Sequence, residues 1–281
     1  MSSIVFITVI FSAFIHAIWN GMVKNQNDKY IALTAIVLGH IPLSIIVLLF
    51  TPMVSIKSIP YIFISAIFLA GYEWCLLSAY RLEDYTKVYP IARGSAPIFI
   101  VILSLLFFSI HISKFELAGI IVISLGIIIL SFQNFKNIGN YSAIFYAAAT
   151  GFFISCYSIT DGFGGRASLS PLNYTALLMI FNATVTFPIL LFIMKKNKAL
   201  GEVFVKAKKI FFIGGSLSYI AYATVVWAFT HAPVPLVAAL REISIIFALL
   251  IGALFLKEKL TLIKIISLFL IFIGAVLLKL F

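Results

Sequence analysis

Charged residues are scarce in this chain of 281 residues. Its 20 lysines and arginines and 9 aspartates and glutamates make up 10% of the sequence, whereas a soluble domain carries roughly 25%. Apolar residues make up 63%, and ten helices of about 20 apolar residues each leave no room for a soluble domain. The composition predicts an integral membrane protein in a lipid bilayer. It excludes a cytosolic enzyme, a secreted disulfide scaffold and a protein that binds nucleic acid.

Cysteines and catalytic motifs are also scarce. The two cysteines, Cys75 and Cys156, lie in apolar stretches without metal-ligand or redox spacing, so we expect them only to pack. The sequence has no glycine-rich phosphate loop, no supported Ser/His/Asp set and no metal-type cluster of His, Cys and carboxylates. No Lys or Arg precedes the first apolar run, which we expect to be a retained helix rather than a signal peptide. We predict no enzymatic activity, no metal and no cofactor.

Long apolar runs separated by polar residues, proline or lysine predict ten transmembrane helices and an all-α fold. The predicted spans are Ser3–Val23, Tyr30–Phe50, Ile59–Ala79, Val88–Ile110, Lys114–Phe132, Asn140–Gly162, Leu172–Met194, Lys209–Thr230, Val234–Leu256 and Thr261–Leu280.

Ten spans divide into two sets of five, and a second copy of an odd number of spans must insert upside down, as in many secondary transporters. A constant shift of 148 residues lays 71–132 over 219–280 without a gap and pairs Arg93 with Arg241. Chance similarity between apolar helices is the alternative explanation. We predict two inverted five-helix repeats, residues 1–132 and 140–281.

Lysine and arginine are unevenly divided between the two sides of the predicted bundle. The segments after spans one, three, five, seven and nine carry 14 of them, and the opposite side carries 4. Positive residues favour the cytoplasm, so we predict that both termini lie outside. We assign most of the formal charge of +11 to loops beside anionic lipid rather than to a ligand.

Ionisable side chains inside the spans are candidates for a functional site, because unpaired charge in a bilayer costs several kcal/mol. Glu73, near the end of span three, and Arg93, near the start of span four, lie roughly 10 Å below the same face at about 1.5 Å per residue. The two can therefore pair. The alternative is a buried salt bridge that only fixes the helix register.

Arg241 and Glu242 lie at the corresponding depth below the opposite face, in span nine. The repeat thus predicts one arginine on each side of the midplane, where an anionic or zwitterionic solute contacts each guanidinium in turn. Adjacent residues on a helix do not face each other, so we do not expect Arg241 and Glu242 to neutralise one another. One of them is expected to face a cavity; internal ion pairing is the alternative.

Polar residues at helical spacing supply further candidates. His16 and Asn20 share one face of span one, and Tyr157 and Asp161 share one face of span six. His16 is suited to a hydrogen bond with substrate or to proton exchange, although a bond that only joins two helices is an equal alternative. Asp161 is a weaker candidate because it lies near the predicted helix end.

Prolines and aromatic residues cluster near these charges. Pro90 and Pro97 flank Arg93, and proline opens helical backbone, which a membrane protein tolerates where that backbone lines a cavity. Trp74 and Tyr222 are predicted to line the pocket, although contact with lipid is the more common role for a single aromatic residue.

Four segments together resemble one transporter family over essentially the whole chain. The sequence is similar to EamA-type members of the drug/metabolite transporter superfamily. The segments are HAIWN at 16–20, VYPIARGSAP at 88–97, TDG at 160–162 and APVPLVAALRE at 232–242.

The resemblance implies a ten-helix inverted-repeat carrier of the bacterial cytoplasmic membrane that works by alternating access, often as an exporter of metabolites or drugs. The small multidrug resistance proteins, which are distant relatives, use a glutamate in their first helix to exchange protons, and His16 and Asn20 stand in the first helix here. Family members commonly have both termini in the cytoplasm, which is opposite to the orientation that the charge count predicts.

From the sequence we predict a secondary transporter of a small polar solute, acting as a monomer or homodimer, with a coupling proton as one option. Arg93 and Arg241 orient anionic groups, while Glu73 and Glu242 balance charge or bind an amine or proton. His16, Asn20 and Tyr157 add hydrogen bonds. A flippase for lipids or lipid-linked sugars and a non-transporting scaffold or sensor are the alternatives.

Overall fold

The structure of the protein is a computed structural model that describes residues 1–108, 110–135, 140–194, 199–255 and 259–280. Every long element in these ranges is a helix, and ten candidate spans are long and apolar enough to cross a membrane. The ten-helix prediction is confirmed. Leu256, the last residue of the predicted ninth span, lies outside the described residues. So do five of the lysines counted for orientation, which are Lys136, Lys195, Lys196, Lys198 and Lys257.

The helices follow the predicted order, and two of the spans are irregular. The elements are α1 (Ser3–Lys24), α2 (Lys29–Phe50), a 3-10 turn (Ile56–Ser58), α3 (Ile59–Leu82), α4 (Tyr85–Phe107), α5 (Lys114–Phe135), α6 (Tyr141–Ala167), α7 (Pro171–Met194), α8 (Ala199–Lys206), a π-helical turn (Ile210–Gly214), α9 (Gly215–His231), α10 (Val234–Arg241), α11 (Ser244–Phe255) and α12 (Leu262–Leu280). The π-helical turn opens the eighth span, and the ninth span is divided into α10 and α11.

Polar side chains at the helix starts explain where several spans begin. Asp28 accepts hydrogen bonds from the amides of Tyr30 and Ile31 at the start of α2. Ser113 and Glu116 bond to each other's amides at the start of α5, which forms a capping box. Because the first amides of a helix have no partner within the helix, these residues set the helix boundaries.

The short helix α8 is amphipathic and does not span the membrane. Its buried residue Val203 packs with Ala207 against Ile31, Ala32 and Ala35 of α2. Helix α8 therefore lies on the face where α1 ends and α2 begins. We call this the lysine-rich face, since it is the side to which 14 of the lysines and arginines were assigned.

Helix contacts pair elements of the first five spans with elements of the second five. Helix α3 packs on α6, and α1 packs on α9; α3 packs on α7, and α2 packs on α9. Helices α2 and α7 contact each other, as do α5 and α12.

A close approach of backbones holds α4 against α6. A Cβ at Gly151 of α6 would lie 2.8 Å from the Ala92 carbonyl oxygen of α4, so only glycine fits at this crossing. The Ser155 hydroxyl donates to the Ala96 carbonyl, 3.0 Å away. These contacts fix the part of α4 that carries Arg93.

Candidate functional site

Arg93, Arg241 and Glu242 form one buried ionic cluster. Arg93 Nε lies 2.8 Å from Glu242 Oε2, and Arg241 Nε lies 3.7 Å from Oε1. All three side chains are 6% exposed or less. Among the described residues, Nη2 of each arginine has no hydrogen-bond partner. Two guanidiniums share one carboxylate, so these three side chains together carry one excess positive charge.

The break in the ninth span brings Arg241 and Glu242 together. Pro233 and Val234 begin α10, Arg241 ends it, and α11 starts at Ser244. On a continuous α-helix adjacent side chains point apart, but after Arg241 the backbone tightens, and the amides of Glu242 and Ile243 bond to carbonyls three residues earlier. The expectation that Arg241 and Glu242 do not neutralise one another is therefore wrong.

The two arginines also form one cluster rather than two separate gates. The sequence placed them on opposite sides of the midplane from their depths in spans four and nine, whereas both guanidiniums contact the same carboxylate. Depth along a helix does not show which way a long side chain extends. Arginine reaches several ångströms from its helix, and Glu242 attracts both.

The predicted Glu73–Arg93 pair is not formed. Glu73 Oε1 instead accepts a hydrogen bond from Asn182 Nδ2 of α7 at 3.2 Å, while Arg93 contacts Glu242. Similar depth allowed the pair, but Glu73 faces α7 and Arg93 faces α10. Rotation about the helix axis, which the depth argument left open, decided the partners.

Proline has different effects in the two spans. Helix α4 is continuous from Tyr85 to Phe107 and contains both Pro90 and Pro97. The predicted opening of the backbone around Arg93 is therefore wrong. Pro233 and Pro235 occupy the first turn of α10, a position where proline is ordinary because no amide partner is lost.

A cavity of about 40 Å³ lies beside Arg93. A wider cavity of about 480 Å³ on the lysine-rich face shares the lining residues Lys29 and Tyr80 with it, so the two cavities adjoin each other on the side of Arg93 toward that face. The inner cavity has room for little more than water, and a metabolite enters only if the helices separate. The inner cavity is lined by His16, Trp19, Asn20, Val23, Lys29, Leu33, Tyr72, Leu76, Leu77, Tyr80, Tyr89 and Arg93.

His16 and Asn20 both line this inner cavity, as their shared helical face predicted. The His16 ring packs edge-on against Trp19 with ring centroids 4.8 Å apart. The Asn20 amide donates to the His16 carbonyl at 3.0 Å. One face of α1 therefore presents an imidazole and an amide to the space in front of Arg93.

A row of tyrosines runs from the inner cavity toward the opposite face. Tyr157 packs edge-on against Tyr72, which lines the cavity, and against Tyr222, with centroids 5.8 and 5.9 Å away. Tyr222 donates a hydrogen bond to Asp161, and Tyr174 donates to the other oxygen at 2.9 Å. The tyrosines close the bundle on the side away from the lysine-rich face.

Asp161 is buried rather than exposed at a helix end. It is fully buried, because α6 continues to Ala167 beyond the predicted end of its span. Its two oxygens accept from Tyr174 and Tyr222, and Arg241 lies within electrostatic range. Asp161 therefore belongs to the closed side of the site.

Trp74 lies outside the site, contrary to the prediction. Its side chain is 48% exposed on the outside of the bundle and packs edge-on against Tyr146. Tyr72, two positions earlier on α3, faces the cavity instead. Each helix position turns by about 100°, so the two side chains point to nearly opposite sides of the helix.

Sequence reasoning missed the partners that α7 contributes. Asn182 bonds to Glu73, and Tyr174 bonds to Asp161. Neither lies within four residues of a charge in the sequence, so no spacing rule pointed to them. A mid-span asparagine is costly in a bilayer without a partner, and that was the available signal for Asn182.

The fold and the buried site define a multi-pass membrane protein with a charged centre inside the helix bundle. Residues 141–280 match the model of the EamA-like transporter family. This match, over about half of the chain, places the protein in the EamA-like family of the drug/metabolite transporter superfamily.

The fold also has a counterpart among solved structures. A crystal structure described only as that of a protein matches with a TM-score of 0.77 and 15% sequence identity, covering 100% of this chain and 99% of that chain. At this identity the match shows the fold alone. No curated protein matches the sequence.

Proposed function

We propose that this protein is a secondary active transporter that binds a small anionic or zwitterionic metabolite at Arg93 and Arg241 and works by alternating access. The net positive charge of the Arg93, Arg241 and Glu242 cluster carries the proposal. Excess positive charge in a buried site is costly, whereas a bound carboxylate or phosphate group would neutralise it. Guanidinium donors match both groups geometrically.

The predicted repeat supports an anion at this position. The 148-residue shift that pairs Arg93 with Arg241 pairs Glu242 with Gly94. If residues 1–132 and 140–281 are inverted repeats, the arginine is present in both repeats and the carboxylate in one repeat only. The paired helix contacts, α3 on α6 with α1 on α9, agree with such a relation. The substrate would supply the second carboxylate.

The shape of the site supports alternating access. The two adjoining cavities lie between Arg93 and the lysine-rich face, and the Asp161 network with Tyr174 and Tyr222 closes the other side. Arg166 adds a hydrogen bond to the Ala232 carbonyl at 3.0 Å on that side. By the charge rule the lysine-rich face is cytoplasmic. The proposed location is a bacterial inner membrane, as the family resemblance implies. In that membrane the two cavities face the cytoplasm, as expected for an exporter.

Entrance counterflow in proteoliposomes tests the proposal. The purified chain is reconstituted with an unlabelled internal solute and exposed to a labelled external one, using L-glutamate, succinate, L-alanine, choline and tetraphenylphosphonium. We expect exchange of an acidic or zwitterionic solute. Arg93→Gln should abolish it, because the cluster becomes neutral and no longer attracts an anion.

The matched control is Lys114→Gln, which removes the same charge from an exposed position at the start of α5. It should exchange solute like the wild type. Exchange of choline or tetraphenylphosphonium alone would contradict the two-arginine site and make Glu73 the leading residue. Translocation of labelled lipid without solute exchange would favour a flippase.

A further inference from the structure

Glu73 is a buried acid that the ionic cluster does not use. Its side chain is 5% exposed. Glu242 is paired with two arginines, and Asp161 accepts from two tyrosine hydroxyls. Glu73 has the Asn182 amide on Oε1, and Oε2 has no hydrogen-bond partner among the described residues.

No cation neutralises Glu73 in the part of the chain that the structure describes. Thr186 lies beside the carboxyl and donates to Asn182 Oδ1 at 3.0 Å, so the local partners are an amide and a hydroxyl. An isolated ionised carboxylate in apolar surroundings costs several kcal/mol. The neutral acid, with a proton on Oε2, avoids that cost.

The titratable and charged groups on the helices that pack against α3 are engaged elsewhere. On α4, Arg93 contacts Glu242; on α6, Asp161 contacts Tyr222. None of the described groups on these helices forms a hydrogen bond or ion pair with Glu73. They are Lys57 in the 3-10 turn, Lys87, Tyr89 and Arg93 on α4, Tyr141, Tyr146, Cys156, Tyr157, Asp161 and Arg166 on α6, and Tyr174 on α7.

Glu73 lies one helical turn from the inner cavity. Leu76 and Leu77, three and four residues after Glu73 on α3, both line that cavity. Tyr72, which directly precedes Glu73, lines it as well. Residues three and four apart share a helix face. Glu73 therefore lies within one helical turn of residues that line the cavity, close enough to exchange a proton when water enters between the helices.

We propose that Glu73 is a proton-binding site whose proton is exchanged with the cavity during transport. In the closed arrangement the acid is neutral. When α3 moves and water reaches it, the O–H bond on Oε2 breaks, the proton passes to cavity water, and the carboxylate keeps the Asn182 hydrogen bond. The coupling role rests on the proposed transport function; the bound proton does not.

Dicyclohexylcarbodiimide labelling tests the bound proton, because this apolar reagent reacts with protonated carboxyls in membrane-embedded sites. The full chain in detergent is labelled at mildly acidic and at alkaline pH, and the adducts are mapped by peptide mass spectrometry. We expect an adduct on Glu73 that decreases at least tenfold at alkaline pH. Glu73→Gln should abolish it, and Glu116→Gln, at the start of α5, should keep it.

A solute-stimulated proton flux tests the coupling. Liposomes loaded with a pH-sensitive dye receive a mixture of L-glutamate, succinate, L-alanine and inorganic phosphate. We expect wild type and Glu116→Gln to move protons, and Glu73→Gln to lose at least nine-tenths of the proton flux per unit of its own counterflow exchange.

The two assays separate the possible failures. Absence of an adduct at Glu73 in folded wild-type protein overturns the proton site, and an unchanged flux in Glu73→Gln overturns its coupling role. If wild-type protein shows neither flux nor counterflow, the proposed transport function fails, and the labelling still decides whether Glu73 holds a proton.

Discussion

Glu242 is the residue on which the charge balance of the site depends. Its carboxylate contacts both arginines, 2.8 Å from Arg93 Nε and 3.7 Å from Arg241 Nε. Removing it leaves two buried positive charges, whereas removing Arg93 leaves a neutral pair. The two substitutions should therefore differ strongly in their effect on stability.

We expect Glu242→Gln to lower the free energy of unfolding by about 3–5 kcal/mol, the usual cost of breaking a buried ion pair from one side. Arg93→Gln should lower it by much less. The check is thermal denaturation in detergent. The double variant Arg93→Gln/Glu242→Gln should be more stable than Glu242→Gln alone, and a strictly additive loss would argue against the shared carboxylate.

The position of Trp74 gives a second expectation at this scale. Because its side chain faces outward, Trp74→Leu should leave counterflow within about twofold of wild type, a change of less than 1 kcal/mol. Tyr72→Leu, two positions away and facing the cavity, should reduce it more. Equal losses in the two variants would mean that the face of α3 is misassigned.

At the scale of elements, hydropathy predicted all ten spans because a transmembrane helix satisfies its backbone hydrogen bonds internally. Each span can thus be recognised without knowledge of its neighbours. The break after Arg241 was not predictable in this way, since α10 and α11 together are long and apolar enough to form one membrane span. The Glu73–Asn182 and Asp161–Tyr174 pairs were missed because they depend on how helices rotate against each other.

Helices α2 and α9 cross at Gly39 and Gly215. A Cβ at Gly215 would lie 2.5 Å from the Gly39 carbonyl carbon, so Gly215→Ala should force the two backbones apart. We expect a lower melting temperature and a smaller monodisperse fraction in size-exclusion chromatography. Gly21→Ala, where a Cβ meets nothing within 4 Å, should be neutral or stabilising because alanine favours helix. Equal behaviour of the two variants would refute the close crossing.

At the scale of the whole molecule, orientation and access can be tested together. Leu82 lines the wider cavity on the lysine-rich face, and Lys57 lies in the 3-10 turn on the opposite face. In a background with Cys75 and Cys156 replaced by serine, Leu82→Cys should react with an impermeant maleimide from the cytoplasmic side. Lys57→Cys should react from outside. The reverse pattern would mean that both termini are cytoplasmic, as is common in the family.

The central claim is that Arg93 belongs to a site for anionic or zwitterionic solutes, and ligand-dependent thermal stability tests it most directly. A ligand at about one hundred times its dissociation constant stabilises the folded state by about 2.7 kcal/mol, which is measurable as a shift in melting temperature. Wild type, Arg93→Gln and Lys114→Gln are screened in detergent against acidic, zwitterionic and cationic metabolites. We predict that an acidic or zwitterionic solute stabilises wild type and Lys114→Gln but not Arg93→Gln. Stabilisation by cations alone, unchanged in Arg93→Gln, would contradict the account.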